Sequence, residues 1–233
     1  MQPSESKTLY ERRVEFLAGD DNDKLGRYTL VGILNADRDV RVPIVVMMHG
    51  LTSNKSSSKF TSLQYELEYL GIGSFRFDCW GAGESEGDPK EINLENIEKI
   101  RKIRLNDLGC AVGYIADVHG DDKIGIAGSS FGANVAAIYA SEDKVDALVL
   151  RSPVLKSIQT YLKLITAPTL LVTGSEDKLS TVDDMMTARS ELGSGYKDLK
   201  IIAGADHGCD NYIHGAEFAR SAANWFDKCL LHV

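Results

Sequence analysis

"GIAGSSFGANVA", residues 125–136, passes from an apolar, strand-like run straight into small residues at helical spacing. Two serines stand at the junction, with Gly128 before them and Gly132 close behind. A strand that turns abruptly into a helix holds one side chain out above the sheet edge. The residues two before and two after that side chain crowd together and must be small. Ser130 meets the requirement, with Gly128 and Gly132 in those places, whereas Ser129 would put the bulky Phe131 there. Ser130 is therefore the presented residue, at a helix N-terminus whose free N–H groups favour developing negative charge.

Working outward, β-branched apolar runs alternate with helix-period segments. Residues 10–18 and 27–34 read as strands around the turn-rich "GDDNDKLG", an antiparallel hairpin that would place an antiparallel strand at one sheet edge. "VPIVVMMHG" (42–50) is a continuous apolar run expected of a strand covered on both faces. Further strands follow at 72–78, 123–129, 146–153, 167–174 and 199–204. The spacing predicts helices over 59–70, from about 92 to 118 with a break at Asn106–Asp107, and over 131–141. It predicts three more near 155–166, 181–192 and 212–231. Such alternation implies a mainly parallel sheet with helices on both faces. With neither a linker nor a repeat in the 233 residues, one domain spanning 1–233 is expected.

A serine hydroxyl is a weak nucleophile without an adjacent base. Candidates follow in chain order: Asp177 a few residues past the strand 167–174, and His207 in the loop after 199–204. His119, His214 and His232 read as surface residues. Asp183 and Asp184 read as a solvated helix face. Asp206 adjoins His207 too closely to orient it, Asp210 reads as a loop-shaping residue, and Glu176 is offset by one residue from the favoured acid.

The stretches "MMHGLTSNK", "FRFDCWGAGESEG", "GSSFGAN", "VTGSEDKLS" and "AGADHGCDN", in that order, resemble the α/β-hydrolase fold superfamily over nearly the whole chain. The resemblance is nearest to its serine esterases, including cinnamoyl (feruloyl) esterase-like proteins. It implies an eight-stranded, mostly parallel sheet and a catalytic triad of nucleophile Ser130, base His207 and orienting acid Asp177. It also implies an oxyanion hole formed by the backbone N–H groups of Leu51 and Phe131, with no cofactor and no metal. The family's HG motif implies that His49 orders its loop; Asp78, Gly81, Gly83 and Ser85 would be structural parts of the glycine-rich loop, with Trp80 either packed there or reaching the pocket. Many relatives carry a large cap where this chain has only residues 154–166, room for one short helix or lid-like flap. Little or no cap implies an open site suited to small or short-acyl esters.

The expected activity is thus a serine carboxylesterase. A thioesterase or a serine aminopeptidase-like hydrolase is the alternative from the same chemistry, and a ligand-binding protein on a hydrolase scaffold the alternative from another class. The formal net charge of -8 opposes nucleic-acid binding, which needs a basic face. No apolar run approaches the roughly 20 residues that span a bilayer, and "MQPSESKTLYERR" lacks signal-peptide features. Cys79, Cys110, Cys209 and Cys229 form no CxxC pair, which fits reduced thiols in a cytoplasmic protein. No oligomeric state is readable from the sequence.

Overall fold

Eight strands form one sheet in the order β1-β2-β4-β3-β5-β6-β7-β8. The computed structural model describes residues 9–21, 25–37, 40–120, 123–209 and 211–232, so Asp210 lies outside the described residues. The strands are β1 (Tyr10–Asp20), β2 (Gly26–Ala36), β3 (Ile44–Met48), β4 (Gly73–Phe77), β5 (Ile124–Ser129), β6 (Ala147–Arg151), β7 (Thr169–Gly174) and β8 (Lys197–Ile202). β1 pairs antiparallel with β2 over Tyr10↔Ala36 to Asp20↔Gly26, and β2 pairs antiparallel with β4. Every pairing from β4 through β8 is parallel.

Successive side chains of a strand face opposite ways, and β3 shows why an unbroken apolar run was needed. Ile44, Val46 and Met48 enter one core, while Val45 and Met47 enter the other. The first core is covered by α2 (Ile97–His119), α3 (Phe131–Glu142) and α5 (Val182–Glu191); the second lies under α1 (Ser58–Tyr69) and α6 (Tyr212–Phe226). This is the α/β-hydrolase architecture expected from the sequence. Its parallel connections put the loops after β3, β5, β6, β7 and β8 at one edge of the sheet.

Four expectations need correction. The helix at 92–118 has no break at Asn106–Asp107. A short 3-10 turn, Pro89–Glu91, precedes α2, which then runs unbroken from Ile97 to His119. The two polar residues serve partners far along the chain: Asn106 Oδ1 accepts from Gly19 N at 2.9 Å, and the Asp107 carboxylate accepts from Tyr28 Oη and Trp80 N at 2.7 and 2.9 Å.

Residues 154–166 do not form one helix. They form α4 (Leu155–Ile158) and a separate 3-10 turn, Leu162–Leu164. The Leu162 carbonyl accepts from Gly193 N, and a Cβ on Gly193 would lie 2.2 Å from the Lys163 carbonyl oxygen. That close backbone approach takes up the carbonyl a continuing helix would have used. Ile158, Leu162 and Ile165 are buried in the first core.

His119 is not merely a surface residue, since its Nε2 accepts from Val42 N at 3.2 Å. Asp184 closes a capping box with Thr181 at the start of α5, so it does more than face solvent. At the chain's end, α6 stops at Phe226 and gives way to a π-helical turn, Asp227–Leu231.

Candidate active site

The β5–α3 junction is as tight as its glycines implied. Ser130 has φ 55° and ψ −121°, a conformation that costs a non-glycine residue about 1–3 kcal/mol. A Cβ at residue 128 would sit 2.6 Å from Ala133 Cα and from the Gly132 carbonyl oxygen, and one at residue 132 would sit 2.3 Å from the Met48 carbonyl oxygen. Only glycine fits at either place. The turn is held by Ser130 N donating to the Arg151 carbonyl of β6 at 2.8 Å, and by Ala133 N and Asn134 N donating back to the Ser130 carbonyl.

Ser130 Oγ lies 2.7 Å from His207 Nε2, and His207 Nδ1 lies 2.9 and 3.0 Å from the two Asp177 carboxylate oxygens. The loops carrying the last two are drawn together by Glu176 N donating to the Ala205 carbonyl. A Cβ on Gly174 would lie 2.0 Å from that same oxygen, which is how closely β7 passes the His207 loop. Burial alone would raise the Asp177 pKa. Hydrogen bonds from His207 and from the Ser180 and Leu179 N–H groups outweigh it and bring the pKa down to about 2. An ionised Asp177 only accepts, so Nδ1 carries the proton toward it and Nε2 is left to accept from the Ser130 hydroxyl.

Leu51 and Phe131 flank this serine. Among the described residues neither backbone N–H finds an acceptor, Phe131 N being the first of α3. Beneath them lies Arg104, fully buried in α2. Its Nη1 and Nη2 donate to the Gly50 and Leu51 carbonyls at 3.1 and 2.7 Å, and its guanidinium lies 5.5 Å from the Phe131 ring centroid. His49 is buried beside it, with Nδ1 donating to the Gly50 carbonyl at 2.8 Å and Nε2 accepting from Cys79 N at 3.0 Å. Burial, then the nearby Arg104 charge, lowers the His49 pKa to about 3, so the ring is neutral and orders the loop.

The glycine-rich loop 79–88 is braced from the sheet. Asp78 accepts from Lys55 N, Lys55 Nζ and Glu84 N at 2.7, 2.6 and 2.9 Å. Ser85 Oγ donates to the Asp78 carbonyl, and Gly83 would drive a Cβ to 2.0 Å from Asp78 Oδ2. Trp80 is packed in the first core and does not line the cavity at Ser130. Asp206 Oδ1 accepts from Cys209 N and so shapes the His207 loop.

A cavity of about 560 Å³ opens at Ser130 and His207, lined chiefly by the loop after β3 and the start of α1. Arg151, at the end of β6, also lines it. The sequence reading missed Arg151 and Arg104. The one available signal was a cation set in or beside an otherwise apolar run. No residue of 154–166 lines the cavity, and among the described residues no group of His, Cys, Asp and Glu could hold a metal ion.

The class these features define is the α/β hydrolase. Dienelactone hydrolase from Anabaena variabilis superposes with a TM-score of 0.79 at 22% identity, over 96% of this chain and 99% of that one. An esterase from Pyrococcus furiosus gives 0.78 at 19% identity over 95% and 93%, and a ferulic acid complex of a Butyrivibrio proteoclasticus protein gives 0.74 at 17% over 88% and 97%. Identities this low establish the fold. The model of the family described as "Serine aminopeptidase, S33" matches residues 41–164, more than half of the sequence, and the chain belongs to that family. The match includes Leu51, Ser130 and Phe131 but ends before Asp177 and His207. Among curated protein sequences none matches significantly. No helix of the described residues is long and apolar enough to cross a membrane.

Proposed function

We propose that this hydrolase is a serine carboxylesterase working through an acyl-enzyme, with Ser130, His207 and Asp177 as its triad. The observation that carries the reading is the unbroken hydrogen-bonded chain from Ser130 Oγ through His207 to an ionised Asp177. Ser130 Oγ attacks the ester carbonyl carbon as its proton passes to His207 Nε2. Asp177 keeps the second ring proton on Nδ1 and stabilises the imidazolium. The carbonyl oxygen, now negative, is received by the N–H groups of Leu51 and Phe131, at the positive end of α3. Collapse breaks the bond to the alcohol, which leaves with the proton from His207. Water then repeats the sequence on the acyl-serine, His207 taking its proton, and the acid departs.

The S33 description raises amide cleavage from a free amino terminus as a second reading. Such a substrate carries an ammonium group that needs a negative partner. Among the described residues lining the cavity none is Asp or Glu, which favours the ester. Esterases among the structural relatives add weight to it. The absence of residues 154–166 from the lining supports an uncapped site taking small or short-acyl esters. Four free cysteines fit a cytoplasmic setting for a single-domain enzyme.

The test is turnover of p-nitrophenyl esters from acetate to long-chain acyl by wild type and Ser130→Ala. The reading expects a short-acyl optimum and a loss of at least roughly 10,000-fold in the variant. A folded wild type that hydrolyses none of them, yet cleaves an aminoacyl anilide, would overturn it in favour of the peptidase.

A further inference from the structure

The structure buries four cations among its described residues, and Arg151 stands apart from the others. Lys55 has Asp78 and Glu84 as ion-pair partners, and Arg76 has Glu11 at 2.8 Å. Arg104 is spent on two carbonyls and an aromatic ring inside the core. Arg151 is 2% exposed and has no ion pair with any described carboxylate, yet it lines the cavity that opens at Ser130. Nη1 donates to Ser129 Oγ at 3.0 Å and Nη2 to the His207 carbonyl, and the Cys209 thiol is a third hydrogen-bond partner of the guanidinium, so a five-donor fork retains N–H groups beyond these three contacts. A buried charge without a counter-ion costs stability, and one that borders a cavity can recover that cost from an anionic ligand.

Two features of the same cavity agree. The α1 N-terminus reaches it through Ser57 and Lys59, with no acidic residue in the first turn and no side-chain cap from Ser57. Its N–H groups therefore add positive potential where an acidic side chain would have cancelled it. The described lining contains no carboxylate, although the chain as a whole carries a net charge of -8. Among the described lining residues the charge is thus positive in an anionic protein, which is a local arrangement and not a consequence of composition.

Resting on the esterase reading, we propose that the preferred substrates are esters carrying an anionic group, a carboxylate above all, which Arg151 binds beside the reacting carbonyl. Because Arg151 also ties Ser129 to the His207 loop, the decisive readout is a ratio of substrates and not activity alone.

The experiment compares matched pairs. On the acyl side these are the p-nitrophenyl hemiesters of succinate and glutarate against their methyl-capped forms. On the alcohol side, 4-acetoxybenzoate is set against its methyl ester. Wild type is expected to favour the charged member of one arm by roughly tenfold or more in kcat/KM, chiefly through KM, as a charge-assisted hydrogen bond allows. The favoured arm tells which half of the ester bears the charge. Arg151→Gln should bring the ratio close to one, with Arg151→Lys between. Should Arg151→Gln not fold, competition on wild type decides: glutarate inhibits and glutaramide does not. Equal or better use of capped esters, or a charge preference that survives in Arg151→Gln, overturns the proposal and leaves the esterase reading intact. A folded wild type that turns over no ester in either arm removes both.

Discussion

Arg104 Nη1 donates at 3.1 Å to the Gly50 carbonyl, the opposite end of the peptide group whose N–H belongs to Leu51. His49 Nδ1 donates to the same oxygen at 2.8 Å. Two donors on one carbonyl fix the plane of that peptide and polarise its N–H, the group proposed to receive the oxyanion. On that proposal Arg104→Met should lower kcat by roughly 10- to 100-fold with little change in KM, the loss expected when a donor to the transition state is no longer held in place. The stranded carbonyls should also cost about 1–3 kcal/mol of stability. Arg104→Lys should recover part of both. Steady-state kinetics beside urea denaturation separates the effects: a loss of stability with kcat unchanged would leave Arg104 a packing residue only.

Two glycine substitutions should have opposite outcomes. Gly132→Ala forces a methyl to 2.3 Å from the Met48 carbonyl, backbone that cannot yield, so expression of folded, active protein should fail or Tm fall sharply. Gly113, within α2, meets nothing within 4 Å of a built Cβ. Gly113→Ala should raise stability by up to about 1 kcal/mol through helix propensity. Thermal melts of the two variants check the pair.

Asp177→Asn removes the acceptor that holds the His207 proton on Nδ1. Its kcat is expected to drop by about 10,000-fold while the fold persists, the cost of the wrong tautomer. Near-wild-type turnover would move the acid elsewhere.

Stability should respond to acid through two buried groups acting in opposite directions. The His49 pKa is lowered to about 3, chiefly by burial, so the unfolded chain binds the extra proton below the ordinary histidine value and stability falls with pH. The Asp107 pKa is raised from 3.8 to about 6, again chiefly by burial, so the folded state binds the extra proton and this contribution is lost as pH rises through 6. Between those limits the two slopes oppose. Removing the acid exposes the histidine: relative to wild type, Asp107→Asn should lose about 1.4 kcal/mol per pH unit as pH drops from 6 toward 4. Urea midpoints measured across that range test it, and parallel curves would contradict it.

The contrast between Ser130 and Arg151 shows what a sequence makes legible. The elbow is a local constraint, since Gly128, Ser130 and Gly132 crowd one another within five residues. Strand and helix alternation is equally local, so the parallel sheet and the order of its loops followed from period alone. Arg151 sits in "LVLRSP" marked only as a cation in an apolar run, and its use stays hidden because Ser129 and the His207 carbonyl approach only through sheet order. Asn106 and Asp107 misled for the same reason: polar residues within a helix read as a break until Gly19, Tyr28 and Trp80 are seen to need them. The split of 154–166 depends on Gly193, 39 residues beyond its start. The Thr181–Asp184 box is a local signal, which the reading of Asp184 as a solvated face overlooks.

The most direct measurement is covalent labelling with a fluorophosphonate, followed by intact mass and peptide mapping. The account predicts one adduct, on Ser130, absent from Ser130→Ala and slowed in Asp177→Asn. An adduct on Ser129, or a folded protein that takes no label, would contradict it.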